Sequence, residues 1–247
     1  MNQPLYMVQM ELDETALVRF LNTGGLNLTQ DEDLGYGLHA WLAASFGPLA
    51  PKPFRLVAPR HYEHRARLLA YASCDGDALR EQAELFALPA AQAVCDLTAG
   101  LATAVLPTTD RFAVGRRLGF EVLCCPVARR AADGRERDVF LHAADHAGDG
   151  VPIDRSRIYV DWLSRQLEPG ASLEEARMEE FALVSQLRQR HGDGREGRRK
   201  TRLTRPRVLL RGTLAIRDSQ AFRETLRRGV GRHRAFGYGM LLLRPAS

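Results

Sequence analysis

Apolar and polar residues interleave along Leu5-Tyr6-Met7-Val8-Gln9-Met10-Glu11-Leu12, which reads as a first β-strand. Thr29-Gln30-Asp31-Glu32 follows with the Ser/Thr-x-x-Glu form of a capping box, in which hydroxyl and carboxylate satisfy reciprocal backbone N–H groups. It predicts a helix running to about Phe46, ended by Gly47-Pro48. Phe54 to Val57 and Arg65 to Ala72 suit a pair of strands, Asp75 to Leu88 an amphipathic helix, and the surroundings of Val105 a further strand. The resulting order, βαββαβ, is that of a ferredoxin-like fold.

The rest of the chain repeats that order. Leu118 to Val127 is an apolar strand, Arg155 to Leu167 a helix, and Arg207 to Ile216 a strong strand. Ser219 is placed to cap a helix carrying Phe222 and Leu226 and closed by Gly229, with Tyr238 to Leu243 as the last strand. Residues 173–190 fit both periods: Leu173, Ala176, Phe181, Val184 and Leu187 suit a helix, while Phe181, Leu183 and Leu187 suit a strand. Arg129 to Arg137 and His191 to Arg205 read as loops of glycine and charge. The expectation is an α+β protein of two tandem ferredoxin-like domains, 1–112 and 113–247.

With 247 residues, 45% hydrophobic and 26% charged, the composition is that of a globular protein and excludes disordered and fibrous classes. No apolar run has the roughly 18 residues of a membrane span, and Met1-Asn2-Gln3-Pro4 lacks the charged start of a secretion signal, so a cytoplasmic protein is expected. Cys74, Cys95, Cys124 and Cys125 have no C-x-x-C spacing and read as buried thiols.

Charge is distributed unevenly. Between Arg188 and Arg211 ten Lys or Arg face only Asp193 and Glu196, a local charge of +8, and the four arginines from Arg227 to Arg234 add +4. The remainder of this +5 chain therefore carries −7. Two basic elements on a mildly acidic body imply a polyanionic partner, RNA or DNA. Lys52 and Lys200 are the only lysines against 33 arginines, and arginine's planar fork matches phosphates and base edges bidentately.

The most distinctive run is Gly229-Val230-Gly231-Arg232-His233-Arg234-Ala235-Phe236-Gly237-Tyr238-Gly239, followed by Met240-Leu241-Leu242-Leu243. It joins a helix to a strand, the reverse of a dinucleotide-binding fingerprint, and lacks that motif's third glycine. Glycines around Arg-His-Arg suit a loop pressed against a polyanion.

This run resembles the glycine-rich loop of the CRISPR repeat-processing endoribonucleases, in particular the CasE branch of the RAMP superfamily. Leu118 to Leu123, followed by Cys125 to Arg130 and Gly134-Arg135, is similar to that family's central strand and basic loop. The basic segment 191–205, ahead of Gly212-Thr213-Leu214, resembles its basic hairpin. The likeness spans most of the chain and implies two RRM-like ferredoxin folds. It implies RNA contacts by Arg129, Arg130, Arg135 and Arg137, and on the hairpin by Arg195, Arg198, Arg199, Arg202, Arg205 and Arg207. In the glycine-rich loop it implies Gly229, Gly231, Arg232, His233, Arg234, Gly237 and Gly239. The implied partners are a CRISPR repeat RNA hairpin and the other subunits of a surveillance complex, with no membrane. Type I and type IV systems both use such a subunit, so the system type stays open.

The family's catalytic histidine and tyrosine lie near the first helix, where Tyr36-Gly37-Leu38-His39 fits. At 100° per residue His39 and Tyr36 are roughly 60° apart, on a face turned away from Leu38, Trp41, Leu42 and Phe46. The implied chemistry needs no metal or other cofactor: a ribose 2′-hydroxyl attacks the adjacent phosphate, leaving a 2′,3′-cyclic phosphate and a 5′-hydroxyl. His39 serves as general acid or base, Tyr36 orients the ribose or shares proton transfer, and Lys200 or an arginine stabilises the phosphorane. The alternative is a hairpin-binding subunit that does not cut. A third reading, a metal-dependent nuclease, would use His142, Asp145, His146 and Asp149 on a helix, although Gly148 and Gly150 favour a polar turn there. His61 and His64 are further candidates for phosphate contact.

Overall fold

The computed structural model describes residues 4–25, 34–58, 65–106, 112–129, 134–147, 152–190 and 199–246. The first half runs β1 (Tyr6–Leu12), α1 (Glu14–Thr23), α2 (Gly35–Phe46), β2 (Phe54–Val57), β3 (Ala66–Ala72), α3 (Gly76–Phe86), α4 (Pro89–Gln92) and β4 (Leu101–Val105). Its antiparallel sheet has the order β2-β3-β1-β4. The second half runs β5 (Arg117–Cys124), β6 (Val127–Arg129), β7 (Glu136–Asp138), α5 (Val139–Ala147), α6 (Arg155–Leu167), β8 (Ala171–Arg190), β9 (Arg199–Ile216), α7 (Ser219–Arg228) and β10 (Leu241–Pro245). Its main sheet has the order β10-β5-β9-β8, so the ferredoxin-like arrangement occurs twice in tandem.

Local chemistry explains where elements begin and end. Asp75, expected as the first residue of a helix, caps α3 instead, its carboxylate accepting from Ala78 N–H at 3.0 Å. Asp13 does the same for α1, an unanticipated helix, accepting from Ala16 N–H at 2.8 Å. The capping box at Thr29–Glu32 lies outside the described residues, and α2 itself begins at Gly35 without a side-chain cap. On α7 the cap is Asp218 rather than Ser219: Asp218 accepts from Ala221 N–H at 2.7 Å, while Ser219 Oγ donates to Phe112 O at 2.5 Å.

One open reading is decided and four expectations change. Residues 173–190 are strand, part of β8, with two register shifts where the strand bulges. The 129–137 loop contains a small β6–β7 ladder, and the 191–205 segment becomes strand from Arg199 onward. Val139–Ala147 is helical rather than a polar turn. The last strand starts at Leu241 rather than Tyr238, because Gly237 and Gly239 take φ values of 85° and 79°, which a strand does not accommodate.

The β8–β9 hairpin outgrows its sheet. β5 pairs with β9 only as far as Cys124↔Val208, whereas β8 and β9 continue in register to Arg190↔Arg199. Ala182–Arg190 and Arg199–Arg207 thus form a free two-stranded ribbon, about 30 Å long at the ordinary strand rise.

Each sheet covers its own apolar core, and the two halves are joined. Leu5 and Tyr71 of the first half are buried in the second half's core, and Tyr71 Oη donates to Leu241 O at 2.8 Å. Arg55 on β2 reaches Glu121 on β5 at 3.5 Å. No helix among the described residues is long and apolar enough to cross a membrane.

Candidate active site

Helix α2 buries Leu38, Trp41, Leu42, Ser45 and Phe46, and Trp41 Nε1 donates to Ala91 O at 3.0 Å, which fixes the helix's rotation. Tyr36 and His39 are left on the opposite side, as the helical spacing requires, but they do not face open solvent. Both are half-buried beneath Phe236 of the glycine-rich loop. The Tyr36 and Phe236 rings stack at 6.0 Å between centroids, and His39 meets Phe236 edge-on at 5.2 Å.

The loop that delivers Phe236 owes its shape to its glycines. Gly229 ends α7, its N–H donating to Thr225 O at 2.8 Å. Val230 N–H donates to Gly239 O at 2.8 Å and Gly239 N–H to Leu123 O at 2.7 Å, closing the loop on itself and pinning it to β5. At Gly239, where φ is 79°, a Cβ would collide with the Val230 carbonyl. At Gly231 a Cβ would lie 2.7 Å from Cζ2 of Trp162. These two glycines therefore serve close packing within the protein as well as backbone conformation.

Facing the loop across a cleft of about 690 Å³ is the segment from Pro48 to Lys52. Arg227, Arg228, Arg232, His233, Arg234 and Phe236 line the loop side. Burial lowers the pKa of His39, and the Lys52 ammonium lowers it further, so the imidazole is neutral near neutral pH. Arg234 donates to Arg228 O at 2.7 Å. Burial lowers its pKa as well, and the like charges of Arg228 and Arg232 add to the effect. Guanidinium groups held together against their mutual repulsion make a site for an anion.

The remaining sequence candidates are spread over neighbouring elements. Arg129 is exposed on β6, its Nε donating to Gly134 O at 3.0 Å, and Arg135 is exposed beside it. Arg137 is ion-paired with Asp145 at 2.6 Å, and Arg207 with Glu180 at 3.3 Å. Arg199, Lys200 and Arg202 belong to the outer part of β9, with Lys200 opposite Gln189 on the ribbon. Arg205 is buried at the ribbon's root and pairs with Glu136 at 2.7 Å. Arg130, Arg195, Arg198, His61 and His64 lie outside the described residues. Helix α5 brings the His142 and His146 rings within 4.5 Å, but His146 Nδ1 bonds to His142 O and Asp145 is held by Arg137. Among the described residues no three His, Cys, Asp or Glu side chains gather as a metal site would require.

Sequence reasoning missed Lys52, Glu136, Arg227, Arg228 and Phe236 as members of this site. Only the basic pair carried a signal, as part of the 227–234 charge cluster.

A family model described as "CRISPR associated protein" matches residues 5–245. The chain is similar to the CRISPR endoribonuclease Cse3 bound to a 19-nucleotide RNA, at 21% identity and a TM-score of 0.62, covering 98% of this chain and 100% of that one. It is similar to Cse3 of Thermus thermophilus bound to an RNA representing a pre-cleavage complex, at 20% identity and a TM-score of 0.59, with 98% and 100% covered. A chain of a pre-nicking CRISPR RNA-guided surveillance complex is similar at 15% identity and a TM-score of 0.54, with 97% and 100% covered. At such identities the structural likeness establishes the fold. No curated protein matches the chain.

Proposed function

The chain belongs to the CRISPR-associated protein family matched over residues 5–245, and on that premise we propose that it is a metal-independent endoribonuclease cutting CRISPR precursor RNA within the repeat hairpin. The observation that carries this reading is the convergence of Tyr36 and His39 with Phe236 beside a cleft lined with arginines, assembled from both halves of the chain.

The reaction is an in-line transesterification. The 2′-oxygen attacks phosphorus, the bond from phosphorus to the 5′-oxygen breaks, and the products carry a 2′,3′-cyclic phosphate and a 5′-hydroxyl. A neutral His39 is the form that accepts the 2′ proton. Tyr36, on the same side of α2, orients the ribose or protonates the leaving 5′-oxygen. We assign stabilisation of the phosphorane to Lys52, which lines the cleft and whose charge already acts on His39. Lys200, out on the ribbon beyond Val208, then grips the RNA.

RNA recognition is divided among three elements. The ribbon carries Arg199, Lys200 and Arg202 outward, Arg129 and Arg135 extend the basic surface, and Arg232 and Arg234 meet phosphates at the cleft, with the loop glycines bringing backbone close. After cutting, the enzyme retains the product hairpin and enters a surveillance complex as a subunit, following the surveillance-complex chain to which its fold is similar.

The test is analysis of product ends. The purified chain, incubated with a repeat-hairpin transcript, should yield a 5′ fragment resistant to phosphatase until its cyclic phosphate is opened by acid. The 3′ fragment should accept phosphate from a polynucleotide kinase directly. Fragments with 5′-phosphate ends would overturn the mechanism; tight binding with no fragments would leave a non-cleaving hairpin binder.

A further inference from the structure

Glu136 lies on the three-residue strand β7, and its side chain, only 13% exposed, meets two guanidinium groups and the His233 imidazole, whose pKa burial lowers. Arg205 Nη2 is 2.7 Å from Oε2, Arg232 Nε 2.5 Å from Oε1, and His233 Nε2 2.8 Å from Oε2. Arg205 Nη1 also donates to the Glu136 backbone carbonyl at 3.4 Å. Burial acts to raise the Glu136 carboxyl, but His233, Arg232 and Arg205 outweigh it and hold the group below its ordinary range, so it stays ionised.

These partners come from distant parts of the chain. Arg205 stands at the root of the ribbon, and Arg232 and His233 in the glycine-rich loop. Among the described residues His233 is the only non-glycine with a positive φ, 61°, so its backbone is held against its own preference. Its ring faces Phe236 at 6.1 Å, and Phe236 in turn packs on His39 and Tyr36.

A carboxylate is a liability on a surface that meets a polyanion, because it cancels attraction the arginines would otherwise exert. Its burial between two arginines and an imidazole suits a different task. Resting on the endoribonuclease reading, we propose that Glu136 is a positioning residue: it clamps the ribbon's root to the glycine-rich loop and, through His233 and Phe236, sets the orientation of His39. It contributes to the rate of cutting and nothing to RNA affinity.

The test is Glu136→Gln, which keeps the shape and removes the charge. Single-turnover cleavage at saturating protein should fall at least tenfold while hairpin affinity stays equal or tightens. The imidazole resonances of His39 in the free protein should shift, since the Phe236 ring sits edge-on to it. Combining E136Q with Phe236→Ala should slow cutting no further than Phe236→Ala alone. Wild-type cutting by E136Q, a parallel fall in rate and affinity, or unmoved His39 resonances would each overturn the proposal. If the wild-type chain binds RNA without cutting, the endoribonuclease reading fails, and the His39 resonances still decide the role of Glu136. Should E136Q not fold, His233→Gln, which leaves the Arg205 pair in place, carries the same resonance test.

Discussion

His39 has lost solvent to Phe236 and shares its surroundings with the Lys52 ammonium, and both effects favour the neutral ring. As the proposed base, His39 with its lowered pKa is ready over a wider range: cutting should rise as pH climbs through the His39 pKa, below the ordinary imidazole value, and then level off. Lys52→Met removes the second cause, so it should move the rising limb to higher pH and lower the plateau by about 10²-fold, the scale of losing one charge-stabilising donor. An NMR titration of His39 in both proteins checks the shift, and an unchanged midpoint would remove Lys52 from the site. The placement of Tyr36 and His39 on one side of α2 was legible from helical spacing. Lys52 and Glu136 were not, since each acquires its meaning from residues far along the chain, such as Arg232 and His233 around Glu136.

Under the proposed function, the ribbon grips the RNA and the glycine-rich loop shapes the site. Replacing Arg199, Lys200 and Arg202 by glutamine should leave the melting temperature unchanged, because this part of the hairpin lies beyond the last β5–β9 pair. It should flatten the dependence of log affinity on log salt by about 2–3 units, the effect of three lost phosphate contacts, as read by titrations at several salt concentrations. Gly239→Ala should behave in the opposite way, with stability falling by roughly 1–3 kcal/mol from the left-handed conformation alone and cutting falling as Phe236 shifts. Denaturant titration beside a cleavage assay would show both. The ribbon was hard to read because beyond the last β5–β9 pair it has no sheet neighbour but its partner strand, and β8 lacks the strict alternation of a half-buried strand. Helix α5 was missed because Gly148 and Gly150 dominated the reading of the segment, although Val139 to Ala147 ahead of them contains no glycine or proline. Helix α1 escaped because its only start signal was a single aspartate, Asp13.

For the whole molecule, the candidate site exists only because the two halves are joined: α2 supplies Tyr36 and His39, while the end of α7 and the loop after it supply the arginines and Phe236. Tyr71 ties the sheets together through Leu241 O, and Tyr71→Phe should cost about 1–2 kcal/mol by orphaning a buried carbonyl. The duplicated βαββαβ order was readable from hydrophobic runs, since both sheets bury one face and their helices follow at ordinary spacings. The way the halves meet was not, because joining contacts such as Tyr71 to Leu241 and Arg55 to Glu121 link positions that no local pattern relates. The junction is proposed to cut RNA with the RNA's own 2′-hydroxyl and His39. The most direct measurement is cleavage of the repeat hairpin in excess EDTA, by the wild-type chain and by His39→Ala, on all-ribose RNA and on RNA with one 2′-deoxy nucleotide at the scissile position. Wild type should cut the all-ribose hairpin despite EDTA and leave the deoxy hairpin whole. His39→Ala should be slower by about 10²–10⁴-fold. Cutting of the deoxy hairpin, or cutting that returns only when divalent metal is restored, would contradict the proposal.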